Sequence, residues 1–237
     1  MSDNGQKVAI ITGSSQGIGA GLTAAYRLRG WAVVGVSRAG QRSDDPDVLV
    51  VDADISEPGT AERIVTKALD RFGRIDTLIN NAGAFISKPF TDYTKADYSL
   101  VVGVNLTGFF TLTQRAIGEM LGRGGGHVVN ITTTLVDYAD SQVPAALTAL
   151  TKGGLASATK SLAIEYATRG IRVNAISPGV IQTSIRDPAS YEALGAQQPI
   201  GHVGQVRDIV DGVLFLESSP FITGEIIHID GGRIAGH

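Results

Sequence analysis

The chain of 237 residues contains no cysteine, which excludes disulfides, thiolate nucleophiles and thiolate metal sites. Its four histidines, His127, His202, His228 and His237, form no pair at ligand spacing, so no metal is expected. Neither sign of charge dominates: 20 Lys and Arg stand against 23 Asp and Glu, a net −3. Such a balance gives no broad attraction for nucleic acid or an anionic membrane. No apolar run approaches the roughly 18 residues that span a bilayer. The opening Met1-Ser2-Asp3-Asn4-Gly5-Gln6 lacks the basic-then-apolar order of a secretory signal. Tyrosine is also scarce. None of Tyr26, Tyr93, Tyr98, Tyr138, Tyr166 and Tyr191 is followed four residues later by lysine. The expectation is a cytoplasmic protein that handles a small molecule, with neither nucleic acid nor membrane as partner.

What is present is an alternation. Short β-branched runs at 8–11, 32–36, 48–51, 77–79, 127–132, 172–176 and 225–229 are separated by stretches of helical pattern. Long helices are expected over about 95–120 and 145–169, and a shorter one over 206–216. Ser56 reads as the N-cap of another, running to about residue 72 with Glu57 and Pro58 in its first turn. Strands alternating with helices imply an α/β fold, a single doubly wound parallel sheet of about seven strands. With no repeat or linker, residues 1–237 read as one domain. Ligands of such sheets lie outside the carboxyl ends of the strands, where the strand order reverses.

The first strand leads into Thr12-Gly13-Ser14-Ser15-Gln16-Gly17-Ile18-Gly19 and then a helix. Three glycines permit a tight turn and close approach of a ligand, and a helix N-terminus there favours a phosphate. The spacing is Gly-x-x-x-Gly-x-Gly rather than Gly-x-Gly-x-x-Gly, and a purely structural turn is the alternative. The second strand ends in Ser37-Arg38, with Arg42 close behind. An acid there would bind the ribose hydroxyls of NAD, whereas an arginine accommodates the 2′-phosphate of NADP. Asp52-Ala53-Asp54-Ile55 places an acid where it could meet an exocyclic amine or cap the following turn. Asn80-Asn81-Ala82-Gly83 sets two amides directly after a buried strand. Asn105 interrupts an apolar helical stretch and, if buried, needs partners.

Together these residues resemble the classical short-chain dehydrogenase/reductase family over about residues 7–232. The carrying motifs are Thr12-Gly13-x-x-x-Gly17-Ile18-Gly19, Asp54-Ile55, Asn80-Asn81-Ala82-Gly83, Asn105, Lys152, Pro178-Gly179-Val180-Ile181-x-Thr183 and Asp230-Gly231-Gly232. The resemblance implies a Rossmann-like sheet of order 3-2-1-4-5-6-7 and a homo-oligomer, dimer or tetramer, built partly on the two long helices. It also implies that the loop of Gly13, Ser15, Gln16, Gly17, Ile18 and Gly19 holds the pyrophosphate. Asp54 and Ile55 would meet adenine, Asn81, Ala82 and Gly83 would support the adjoining ribose, and Pro178, Gly179, Ile181 and Thr183 would flank the nicotinamide. With Ser37 and Arg38, the implied cofactor is NADP(H) in preference to NAD(H).

The chain departs from the family at its chemistry. The family uses a serine, a tyrosine, a lysine four residues after the tyrosine, and the helical asparagine. That i, i+4 spacing sets phenol and ammonium on one helix face, where the cation lowers the phenol's pKa. Here the lysine is Lys152, but the tyrosine position holds Thr148. Thr133, in Asn130-Ile131-Thr132-Thr133-Thr134, stands for the serine, a mild change because a hydroxyl is retained. Tyr138 is the nearest tyrosine that could substitute, and a water relayed through Lys152 is another route. The leading expectation is an NADP(H)-preferring oxidoreductase acting on a carbonyl or secondary alcohol. Thr133 would orient the substrate oxygen, Lys152 would hold the ribose, and Asn105 would maintain a water relay. A catalytically silent cofactor-binding sensor or partner subunit fits the same residues, as does a non-redox isomerase, lyase or cyclase. Pocket walls are expected from residues 84–90, 135–144 and 182–198, which include Asp137, Asp140, Arg186 and Asp187.

Overall fold

A computed structural model describes residues 5–40, 42–184 and 189–236; Arg186, Asp187 and His237 lie outside the described residues. The elements are β1 (Val8–Thr12), α1 (Gly17–Leu28), β2 (Ala32–Ser37), β3 (Val48–Asp52), α2 (Thr60–Phe72), β4 (Thr77–Asn80), α3 (Lys95–Val102), α4 (Phe109–Gly122), β5 (Gly126–Ile131), α5 (Ala146–Tyr166), β6 (Ile171–Pro178), β7 (Ile181–Gln182), α6 (Ser190–Ala196), β8 (Gly204–Gln205), α7 (Val206–Ser218) and β9 (Ile226–Ile229). Seven strands form one parallel sheet in the order β3-β2-β1-β4-β5-β6-β9. This is the expected order, with β9 as its seventh strand because β7 and β8 pair separately.

The unbroken apolar runs follow from burial on both faces, since each strand must send apolar side chains alternately up and down. Ile10, Val34, Leu78 and Val128 pack on one side with Ile64 of α2 and Leu112 and Ala116 of α4. Their neighbours Ile11, Val33, Ile79 and Val129 pack on the other with Leu22 and Tyr26 of α1 and Ile209 and Val213 of α7.

Two expected helices differ. α2 begins at Thr60, not near Ser56, and its N-cap is Gly59 at φ 75. Ser56 is instead drawn back to Asp54, whose Oδ1 accepts from both the Ser56 amide (2.9 Å) and its hydroxyl (2.6 Å). An aspartate that closes its own turn outcompetes a helix start at that serine. The helix expected over 95–120 is two α-helices joined by a π-helical turn, Gly103–Gly108. Asn105 lies within it. Its flanking glycines let the turn press on the β3–α2 loop: a Cβ on Gly108 would stand 2.7 Å from Ile55 Cδ1, and one on Gly103 3.1 Å from Ser56 Cβ.

Beneath the sheet, at the amino ends of the strands, Glu217 of α7 collects a buried polar cluster. Its Oε2 accepts from Tyr26 Oη (2.8 Å) and Thr77 Oγ1 (2.9 Å), and lies 3.2 Å from His127 Nδ1. The opposite ring nitrogen, His127 Nε2, faces Asn174 Nδ2 at 3.2 Å and Arg172 Nη1 at 3.4 Å. Both are donors, so Nε2 accepts and the imidazole is neutral with its proton on Nδ1.

Candidate active site

The carboxyl ends of β1 to β6 open on one cavity of about 970 Å³, the size range of small-molecule and cofactor sites. It spans the point between β1 and β4 where successive crossovers change direction. At its centre is the glycine turn. Gly13 and Gly17 have φ of +67° and +54°, which only glycine adopts without strain. A Cβ on Gly19 would lie 2.1 Å from the Gly13 carbonyl. Gly19 is thus a packing residue behind the wall, while Gly13, Ser15, Gln16, Gly17 and Ile18 line the cavity. α1 starts here with no side chain capping it, so its first N–H groups and positive dipole end face the cavity.

Thr12 fixes this turn to the end of β4. Its hydroxyl accepts from the amides of Asn81 (3.0 Å) and Ala82 (2.9 Å), and Asn81 Nδ2 donates to the Thr12 carbonyl at 2.8 Å. Thr12→Val should leave the part-buried Ala82 amide unpaired and the Asn81 amide with only its 3.1 Å bond to the Ile79 carbonyl, at about 1–3 kcal/mol. Differential scanning calorimetry should show Tm lowered by roughly 5 °C, with weaker nucleotide binding in titration. An unchanged Tm would contradict this tie. The paired asparagines divide their work. Asn81 serves the turn, whereas Asn80 points into the interior and donates to Thr113 Oγ1 and Asn130 Oδ1, both at 2.9 Å.

Ser37, Arg38, Asp54 and Ile55 line one end of the cavity, and Arg42 does not. Ser37 Oγ is buried with no hydrogen-bond partner. Asp54 does cap its local turn, and the hydrogen bonds from Ser56 hold its carboxyl below the usual range, with Arg38 adding to the effect.

At the other end stand Thr133, Thr148, Lys152, Ala82 and Gly83, roofed by Pro178, Gly179, Ile181 and Thr183. Lys152 is 6% exposed and donates to the Ile131 carbonyl at 2.6 Å. Gly83 makes room for it, since a Cβ there would stand 3.2 Å from Lys152 Nζ. Burial with no carboxylate paired to it among the described residues pushes Lys152 down to about 8. Thr148, one helical turn before it, is 3% exposed, and its Oγ1 has no hydrogen-bond partner. Buried hydroxyls are normally satisfied. Thr148 Oγ1 and Ser37 Oγ are therefore two unmet polar atoms at opposite ends of a glycine-floored cleft, which suits a dinucleotide and a polar reactant.

Besides Gly19, two further expected site residues, Asn105 and Tyr138, do not line the cavity. Asn105 lies behind the wall with its amide satisfied by protein: Oδ1 accepts from Ala84 N at 2.8 Å, and Nδ2 donates to the Ala84 carbonyl and Thr151 Oγ1, each at 3.0 Å. Its side chain clamps the Gly83–Ala84 segment against α5. Tyr138 does not line the cavity, and its ring lies 5.4 Å beneath the Arg233 guanidinium. Arg233, Val104 and Leu100 were outside the expected walls but belong to them. Also unforeseen is the support of the roof by α6, where Tyr191 Oη accepts from Thr183 N (3.0 Å) and donates to the Thr183 carbonyl (2.7 Å). Seven residues of mixed polarity carry no strong periodic signal.

Comparison with known proteins agrees with this geometry. A family model described as enoyl-(acyl carrier protein) reductase matches residues 13–233. The chain is 33% identical to the BbsD subunit of (2S)-[(R)-hydroxy(phenyl)methyl]succinyl-CoA dehydrogenase from Thauera aromatica, over 96% of each chain. Among solved structures it resembles 3-ketoacyl-(acyl-carrier-protein) reductase from Brucella melitensis complexed with NADH, at 31% identity and TM-score 0.88, covering 98% of this chain and 100% of that one. ElxO with NADP bound gives 26% identity and TM-score 0.91 over the same shares. The chain belongs to the classical short-chain dehydrogenase/reductase family, whose members bind a nicotinamide dinucleotide.

Proposed function

We infer that the protein is an NADP(H)-preferring oxidoreductase that interconverts a carbonyl and a secondary alcohol without a catalytic tyrosine. One observation carries the reading: the glycine-floored cleft ends at Lys152, Thr133 and Thr148 on one wall. When bound there, the nicotinamide would supply or accept the hydride at the substrate carbon. Arg38 receives the 2′-phosphate, helped by the unmet Ser37 hydroxyl, and the N-terminus of α1 receives the pyrophosphate. Asp54 faces the adenine amine. Asn81, Ala82 and Gly83 support the adjoining ribose, with Lys152 donating to its hydroxyls. Pro178, Gly179, Ile181 and Thr183 flank the carboxamide. Thr133 Oγ1 donates to the substrate oxygen, and a water held at Thr148 Oγ1 carries the proton between that oxygen and solvent. Asn105 acts as a positioning residue through Ala84. The exposed apolar side chains Phe110 of α4 and Leu150 and Ile164 of α5 favour a homo-oligomer joined on these helices.

The cofactor preference has a direct test. Arg38→Asp is expected to weaken NADPH binding by about 10–100-fold, the worth of charge-assisted hydrogen bonds, and to leave NADH binding unchanged. Fluorescence titration with each reduced cofactor reads both. Equal losses for the two would overturn the assignment of Arg38. A second reading, a cofactor-holding subunit without turnover, is favoured by the lack of any phenol beside Lys152 among the described lining residues. It is separated from the first by nicotinamide absorbance during incubation with carbonyl substrates.

A further inference from the structure

The charged side chains on the cavity wall divide by position. Arg38 and Asp54 stand at the adenine end, whereas Lys152 and Arg233 stand in the other half with no acid beside them among the described lining residues. Arg233 comes from the segment after β9, and its side chain is 8% exposed. One nitrogen, Nη2, pairs with Asp140, and the guanidinium rests on the Tyr138 ring. This is not the two-pronged pairing that satisfies an arginine and a carboxylate together. The second oxygen of Asp140 is turned away, accepting from the Gln142 amide at 2.8 Å. A guanidinium has five N–H donors, and no protein acceptor among the described residues meets Nε or Nη1. Its open nitrogens are not among the buried polar atoms left without a partner; on the cavity wall they are available to water or to a bound acceptor. The same segments of wall carry Leu135, Val143 and Leu194 together with the uncharged Gln142 and Gln197.

We propose that Arg233 makes the substrate half of the cavity an anion site, receiving a carboxylate that the substrate carries away from its reacting carbon. The substrate class is then the oxo acids and hydroxy acids with an apolar body. The inference rests on the reading of the reacting centre given above. Asp140, which does not itself line the cavity, holds the guanidinium and partly offsets its charge, and the Tyr138 ring supports it.

Calorimetric titration compares acetoacetate, levulinate and 3-benzoylpropanoate with their methyl esters, each with NADP+ and without cofactor. The acids are expected to bind at least about tenfold more tightly than the esters, the worth of one charge-assisted hydrogen bond. Arg233→Gln should bring the ratio close to one, and Arg233→Lys should retain part of it. Asp140→Asn, which removes the competing charge, should raise the ratio above that of the unaltered protein. A purely structural Arg233–Asp140 strut would lower stability in both variants without moving the ratio. Esters binding as well as acids, no binding by any acid at millimolar concentration, or an unchanged ratio in Asp140→Asn would each overturn the proposal. Because the ratio is read with and without NADP+, failure of the cofactor site and failure of the anion site show separately.

Discussion

Thr148→Tyr is expected to raise the rate of carbonyl reduction by about 10²–10⁴-fold, the usual worth of a positioned general acid. Position 148 is one turn before Lys152, so a phenol placed there shares the helix face of the ammonium. Lys152 is charged over most of the neutral range, having been pushed down to about 8 by burial, and would favour the phenolate. The threonine now at this place has an aliphatic hydroxyl, a poor proton donor at neutral pH, and no partner for it. Steady-state rates with NADPH and a panel of ketones, aldehydes and oxo acids check the expectation. The gain should fall in kcat rather than KM, because a proton donor acts in the transition state. A variant that binds NADPH as the parent does and gains nothing would show that Lys152 and Thr133 do not form a redox centre.

Glu217→Ala is expected to lower folding stability by about 3–5 kcal/mol, because removing one member of a buried charged network strands the others. Tyr26, Thr77 and His127 would lose their common acceptor, and the Arg172 guanidinium its nearby counter-charge. For a chain of this size that is a fall in Tm of roughly 10 °C, read by calorimetry at pH 7. A loss under 1 kcal/mol would place the cluster among interactions that water replaces.

The cluster also fixes the sign of the acid response. Burial pushes the His127 imidazole below its ordinary value of 6.5, outweighing its bond to Glu217. As pH falls below 6.5, the unfolded chain takes up a proton that the fold refuses, so stability declines toward acid. Burial would raise the Glu217 carboxyl, but the hydrogen bonds from His127, Tyr26 and Thr77 outweigh it and hold it below 4.5. Its contribution is present above 4.5 and is lost as pH falls through the folded value, in the same direction. His127→Gln should flatten the Tm–pH curve just below pH 6.5. The slope persisting there would assign it to other groups.

Much of the architecture was legible because it depends on neighbours in sequence. Continuous apolar runs such as 8–11 and 32–36 state burial on both faces, and the glycines of 13–19 state a turn that only they can make. Thr148 and Lys152 were named through the family resemblance, and the structure sets both on the wall of one cavity. What escaped depends on distant partners. Asp140 and Arg233 are 93 residues apart, and Tyr26 and Glu217 are 191 apart, so no local pattern announces either pair. Ser56 was misread for a different reason: the helix signal was real, but Asp54, two residues away, offered that serine a nearer acceptor. Asn105 stood out by its polarity in an apolar helix, yet only the position of Ala84 determines that its amide serves the backbone.

The π turn at Gly103–Gly108 turns a count of residues into an angle. Each residue of an α-helix advances about 100° around the axis, so the surplus residue of a wide turn offsets everything after it by about that amount. α3, on one side of the offset, contacts α5, while α4, on the other, contacts α2 and the sheet. One rod thus presents two differently oriented stripes. A homologous chain one residue shorter here would be rotated rather than merely shortened, with Leu112 and Ala116 swung off the sheet. Alignments of this segment therefore have to conserve its length before its letters.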